Sequence, residues 1–171
     1  MPYFQAVKNL AGTEEKPPMY PFELSGGDYN FEEAMDFAEN TAKNKMLAAF
    51  IAVGQLDLFV IYQEWKAAEK LLLKGGDLRP CMPGFFQAVR FTFLEGLISL
   101  KAAQASGSWM AKRKWAARAK KSMKILKGGL AKGNVNSVHT LHLLTAELHL
   151  LNGKAKEAEE CFKEAQISAK R

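Results

Sequence analysis

Only two cysteines occur in the 171 residues, Cys81 and Cys161. They are too few for a disulfide framework and have no metal-ligand spacing, a usage that suits a reducing compartment. The opening segment MPYFQAVKNLAG has no basic stretch followed by an apolar run and a small-residue cleavage site, so no secretory signal is read there and a cytoplasmic protein is expected. Long apolar runs are also missing. The longest, Met46 to Tyr62, reads MLAAFIAVGQLDLFVIY and is interrupted by Gln55 and Asp57. At the short limit for crossing a bilayer, it is expected to be a buried core helix, and no transmembrane segment is anticipated.

Catalytic constellations are equally scarce. Gly128-Gly129 and Gly133 have neither the preceding strand nor the Gly-Lys-Ser/Thr ending that cradles phosphate. His139, His142 and His149 share one helical segment, but Glu147 stands five residues from His142 and two from His149, out of phase with a common face. Packing or surface roles are therefore expected for them, and no metal. No Ser, Cys and His arrangement marks a nucleophile, and Cys161 falls in an apolar stripe, where it reads as an inert small hydrophobe. The expectation is a non-enzyme without cofactors.

What is present is helical periodicity. With 48% hydrophobic and 25% charged residues, wholesale disorder is excluded. The length suits a single domain over 1–171, with 1–29 a cap helix and loop and 30–171 helical hairpins. Pro2 to Leu10 suggests a short helix with Phe4, Val7 and Leu10 on its inner face. Extended loop is expected from Gly12 to Tyr29 around Pro17, Pro18, Pro21, Gly26 and Gly27. Asn30 reads as an N-cap for a helix ending near Asn44, with Phe31, Ala34, Phe37, Ala38 and Thr41 on one face and Glu32 and Glu33 in its first turn. The apolar helix Met46 to Tyr62 follows, then a tight turn at Gln63-Glu64 and a helix Trp65 to Leu73 carrying Ala68 and Leu72. Lys74 to Asp77, Pro80 and Pro83 break the chain. A long helix from Pro83 or Gly84 to Ala105 carries Phe86, Val89, Phe93, Leu97 and Leu100 on one stripe, with Phe85, Leu94 and Ile98 beside it. Gly96 permits a close crossing. Another helix runs from Trp109 to Lys127, with termination beginning at Gly128-Gly129 and a turn at Gly133, Asn134 and Asn136.

The last stretch, His139 to Ala169, reads as two antiparallel helices. Leu141, Leu144, Leu148 and Leu151 recur along the first, Gly153 closes it in a left-handed conformation, and Ala155, Ala158, Cys161, Phe162, Ala165 and Ile167 or Ala169 stripe the second. Gly96, Ala146, Gly153, Ala158, Phe162 and Ala165 are the candidate repeat-packing positions. From Ala146 to Ala165 this spacing resembles one tetratricopeptide unit, although His142 stands where that family prefers Trp and His149 where it prefers Tyr. The pair around Ala68 and Leu72 looks like a degenerate earlier copy. QAVKNL, PFELSGG, FTFLEGLISL, KRKWAARAKKSMKIL and the final hairpin together resemble the C-terminal tetratricopeptide-like region of multidomain predicted-ATPase signalling proteins with protein kinase or histidine kinase modules. The resemblance implies an all-α stack of antiparallel hairpins, a short α-solenoid acting as a scaffold. It carries no catalytic residue, and the ATPase and kinase segments have no counterpart here.

Charge is the second positive signal. From Gly96 to Ala146 there is no Asp or Glu, while Lys101 to Lys132 holds ten of the 24 basic residues, leaving 14 against 18 acidic ones elsewhere. The positive charge is therefore local. Trp115, Ala119, Met123, Leu126 and Leu130 form an apolar stripe, which puts Lys112, Arg113, Lys114, Arg118, Lys120, Lys121 and Lys124 on the opposite face. Three readings compete for that face: a solvated outer surface, a dock for an acidic partner such as another domain or a calmodulin-like protein, and a nucleic-acid or anionic-membrane contact. The expected function is a non-catalytic scaffold binding a protein partner, acidic or an adjacent signalling domain. A nucleic-acid or membrane-surface binder using residues 109–127 is the alternative.

Overall fold

The computed structural model describes residues 2–12, 20–27 and 29–170, with side chains for all of these except 2–4. Among the described residues the regular structure is eight α-helices and no strand, so the expected all-α class holds. The chain gathers into two compact units, Met1–Ala88 and Val89–Arg171.

The first unit contains α1 (Pro2–Ala11), α2 (Phe31–Asp36), α3 (Lys45–Ile61) and α4 (Trp65–Gly75). Its centre is α3, in which Ala49, Leu58 and every residue from Ile51 to Leu56 are buried. A helix apolar on all sides has no solvent face to offer, which is why this one is covered all round. Gln55 is the polar exception, and it is used: its Oε1 accepts from the Leu24 N–H and its Nε2 donates to the Phe22 carbonyl, both at 2.6 Å. The segment 22–25 is thereby tied down by side-chain amides instead of a backbone ladder. Leu24 itself is fully buried.

That tethering also reverses the expected face of α1. Val7 and Leu10 are exposed, at 62% and 46%, while Gln5, Ala6 and Asn9 are buried. Gln5 Nε2 donates to Asn9 Oδ1 at 2.8 Å and to the Ser25 carbonyl, and Asn9 Nδ2 donates to the Glu23 carbonyl. The helix turns inward the side chains that can satisfy the loop's carbonyls, because a buried carbonyl without a donor costs more than two part-exposed aliphatic side chains. Phe4 belongs to the side chains outside the described set, as do Pro17 and Pro18.

Asn30 caps α2 as expected, its Oδ1 accepting from the Glu32 and Glu33 N–H groups at 2.9 and 3.1 Å. The expected face then fails at Phe37 and Thr41, both exposed, although Ala38 is fully buried. A π turn runs over Phe37–Thr41, in which the Ala42 N–H reaches the Phe37 carbonyl five residues back at 2.7 Å, and it shifts the phase of the positions after Phe37, Thr41 among them. One residue inserted into a turn rotates everything beyond it. Asn44 does not end this helix but starts the next, its Oδ1 accepting from the Leu47 N–H at 3.0 Å. The turn at Gln63 has positive φ, and Ala68 and Leu72 of α4 are buried against α3.

The second unit holds α5 (Phe86–Ala105), apart from its first turn, with α6 (Trp109–Ala131), α7 (Val138–Leu151) and α8 (Ala155–Ala169). α5 is buried without interruption from Phe91 to Leu100, whereas Phe85 and Phe86 are exposed, so Phe86 does not extend the inner stripe. Gly96 is a crossing point. A Cβ there would stand 2.8 Å from Leu144 Cδ1 and 3.4 Å from Ser122 Cβ, so α6 and α7 both approach α5 at this residue. α6 runs through Gly128-Gly129 to Ala131 instead of stopping there, and Gly133 takes positive φ in the turn that follows.

α7 and α8 pack against each other as an antiparallel pair. Gly153 sits between them at φ +74°, with the Lys154 N–H donating to the His149 carbonyl at 2.9 Å. Ala146, Ala158 and Ala165 are buried on the seam, and Phe162 and Cys161 are half-buried beside it. Ala155, Ile167 and Ala169 are exposed, so the apolar stripe of α8 is narrower and shorter than the sequence suggests.

Candidate functional site

The site grows from α6. At 3.6 residues per turn, its buried side chains Ala119, Ser122, Met123 and Leu126 define one edge. Trp115 and Leu130 are half-buried at the margins. Lys112, Arg113, Lys114, Lys120, Lys121, Lys124 and Lys127 are all exposed. From Lys112 to Lys124 they span about 18 Å of helix. Ser108 precedes the helix with extended dihedrals.

Arg118 parts company with the other candidates. Its Nε donates to Glu95 Oε1 at 2.9 Å, and Ser122 Oγ donates to Glu95 Oε2 at 2.8 Å. Glu95 is only 4% exposed. A carboxylate so enclosed requires a cation and hydrogen bonds, and Arg118 and Ser122, one turn apart on α6, supply both. A second such pair joins α5 to α7: Lys101 Nζ donates to both Glu147 carboxylate oxygens at 2.8 and 2.7 Å, and Gln104 Nε2 to Glu147 Oε2 at 3.1 Å. Glu147 is 7% exposed. Its carboxylate is directed at α5, away from a shared site with His142 and His149.

The division among the cations is sharp. The two that face inward, Lys101 and Arg118, meet the two buried carboxylates. Among the described residues none of Lys112, Lys114, Lys120, Lys121 and Lys124 pairs with a carboxylate. Between Gly96 and Ala146 no acidic residue exists to serve them at helical spacing. Sequence reasoning missed Glu95, although a lone carboxylate within FTFLEGLISL is a recognisable signal for a buried partner.

At the N-terminal end of the same helix Trp109 and Met110 are 70% and 74% exposed. The Arg113 guanidinium lies 5.4 Å from the centre of the Trp109 ring, a cation–π distance. Cys161 lies on α8, and burial followed by Glu160 and Glu164 pushes its thiol above the usual range. A thiol held protonated is a poor nucleophile. No group of three or more His, Cys, Asp and Glu able to hold a metal occurs among the described residues, and none of the described helices is long and apolar enough to cross a membrane. Compared with models of known families, with curated proteins and with solved structures, the chain matches none.

Proposed function

We propose that this protein is a non-catalytic binding module whose α6 presents an unpaired cationic face to an acidic segment of a protein partner. The observation that carries the reading is the selective pairing just described: Lys101 and Arg118, facing the interior, meet carboxylates, and among the described residues Lys112, Lys114, Lys120, Lys121 and Lys124 on the outward side of α6 meet none. An acidic partner would gain pairing without first breaking an internal ion pair, and the excess of one sign would speed its approach. On this reading the helix pairs α3–α4 and α7–α8, with alanines buried on their seams, are tetratricopeptide-like hairpins of a short solenoid. The chain would work in the cytoplasm beside a companion signalling domain such as the ATPase and kinase modules its sequence resembles.

One observation favours a second reading. Trp109 and Met110, exposed beside the cations, are the side chains an interfacial helix uses at an anionic membrane surface, and a basic helix also suits nucleic acid.

Fluorescence anisotropy with a polyglutamate peptide, a DNA duplex and phosphatidylserine vesicles compares the readings directly. Polyglutamate should bind the intact chain most tightly, and the triple variant Lys120→Glu, Lys121→Glu, Lys124→Glu should lose at least about tenfold in affinity, as several cooperating surface pairs allow. Tighter binding to vesicles or DNA, lost in the same variant, transfers the assignment to the second reading. Polyglutamate binding indifferent to the three reversals ends the first.

A further inference from the structure

The cations of α6 have apolar company on the same face. Trp109 and Met110, at 70% and 74%, are the most exposed large apolar side chains among the described residues. Trp109 and Lys120 are eleven residues apart, about three helical turns, and so are Met110 and Lys121, which sets each pair on one line along the helix. Arg113 and Lys114 stand four residues beyond Trp109 and Met110. Two parallel rows result, each opening with an apolar side chain and continuing with cations, and all six side chains are exposed.

The Arg113 guanidinium, 5.4 Å from the centre of the Trp109 ring, joins the indole to the charged row by a cation–π contact. Trp, Met and Arg are enriched at the centres of protein interfaces, whereas lysine is depleted there and belongs to the polar rim. The face therefore has an anchor end and a rim. A membrane asks for a different layout. An interfacial helix sinks a continuous apolar side into the headgroup boundary, and that side of α6, with Ala119, Met123 and Leu126, is buried in the fold. Two apolar residues at one end do not replace it.

We propose that the acidic segment bound by α6 carries a large apolar anchor at one end, which covers Trp109 and Met110 while its carboxylates meet the lysines beyond. The anchor rests on the acidic-partner reading of α6 and adds a second chemical requirement to it. Charge alone lets an acidic chain slide along a row of like cations, and an anchor at one end fixes its register. Covering the exposed pair also supplies affinity that salt does not screen. From Trp109 to Lys124 the face is about 22 Å long, which about seven extended residues span.

The test uses the full chain and labelled peptides of about seven glutamates, either bare or with a Leu-Phe pair at one end or the other. The better-placed pair should tighten binding about tenfold over the bare peptide, and that ratio should hold as added salt weakens both. In the variant Trp109→Ala, Met110→Ala the anchored peptides should fall to the affinity of the bare one, whose own binding stays within about twofold of that to the parent. The retained binding of the bare peptide shows that the variant is folded. Ile125→Ala removes a side chain 40% exposed in the other half of α6, and it should leave the gain in place. No gain from the Leu-Phe pair, or a gain that survives the loss of Trp109 and Met110, overturns the anchor while the charge reading stands. If the bare peptide does not bind the parent chain, both fall. Phosphatidylserine vesicles or a DNA duplex that bind more tightly than the anchored peptides, and lose that binding in the double variant, assign Trp109 and Met110 to lipid or base contacts and overturn the anchor as well.

Discussion

Arg118 and Lys120 are two residues apart on one helix and do opposite work. Arg118 neutralises a carboxylate that is only 4% exposed, while Lys120 faces solvent. Replacing Arg118 by Ala takes the guanidinium away from the enclosed Glu95 and leaves the Ser122 hydrogen bond in place. Loss of a fully buried partner costs roughly 3–5 kcal/mol, and because Arg118 keeps 26% of its side-chain surface in solvent, about 2–3 kcal/mol is expected in urea unfolding. Lys120→Ala should stay within about 0.5 kcal/mol of the parent. Equal effects from the two would show that the inward and outward cations are not distinct. The sequence puts both residues in one basic run, and helical phase sets them about 200° apart without saying which side faces a carboxylate. Only the presence of Glu95 on α5 opposite α6 does so.

At the scale of elements, the region before α2 shows how polar residues can organise packing. Read as sequence, Gln55 merely interrupts an apolar run, and Gln5 and Asn9 look like solvent-facing positions of a short amphipathic helix. In the structure the three amides hold 22–25 against α1 and α3. Gln55→Leu keeps the volume and removes both hydrogen bonds, stranding the Leu24 N–H and the Phe22 carbonyl. Destabilisation of about 1–3 kcal/mol is expected despite the added hydrophobicity, since an unsatisfied buried group costs about that much. Amide exchange across 20–27 should accelerate more than exchange in α4. A stability equal to the parent's would mean that the loop is held by Leu24 alone. The π turn after α2 is a similar case: FAENT has no composition that announces one inserted residue, and its consequence is a change of phase that leaves Thr41 exposed where periodicity calls for an inner position.

For the molecule as a whole, burial is concentrated in one helix of each compact unit, α3 from Ala49 to Leu58 and α5 from Phe91 to Leu100. Native-state hydrogen exchange should therefore find the slowest amides in those two segments and faster ones in α1 and α8, because opening a central helix exposes the most apolar surface. Protection in α8 equal to that in α5 would contradict this. The sequence by itself determined that the chain is helical, where most helices start and stop, and that its positive charge is local. These follow from short-range physics: apolar spacing, Asn caps, left-handed Gly153 and an interval without carboxylates. Tertiary structure alone decided which cations are spent on Glu95 and Glu147 and that α1 turns its amides inward. It also divided the chain at Ala88, inside a helix and so without any linker composition to mark it. Each of these depends on pairs of residues far apart in the chain, and the chemistry of one residue does not name its distant partner.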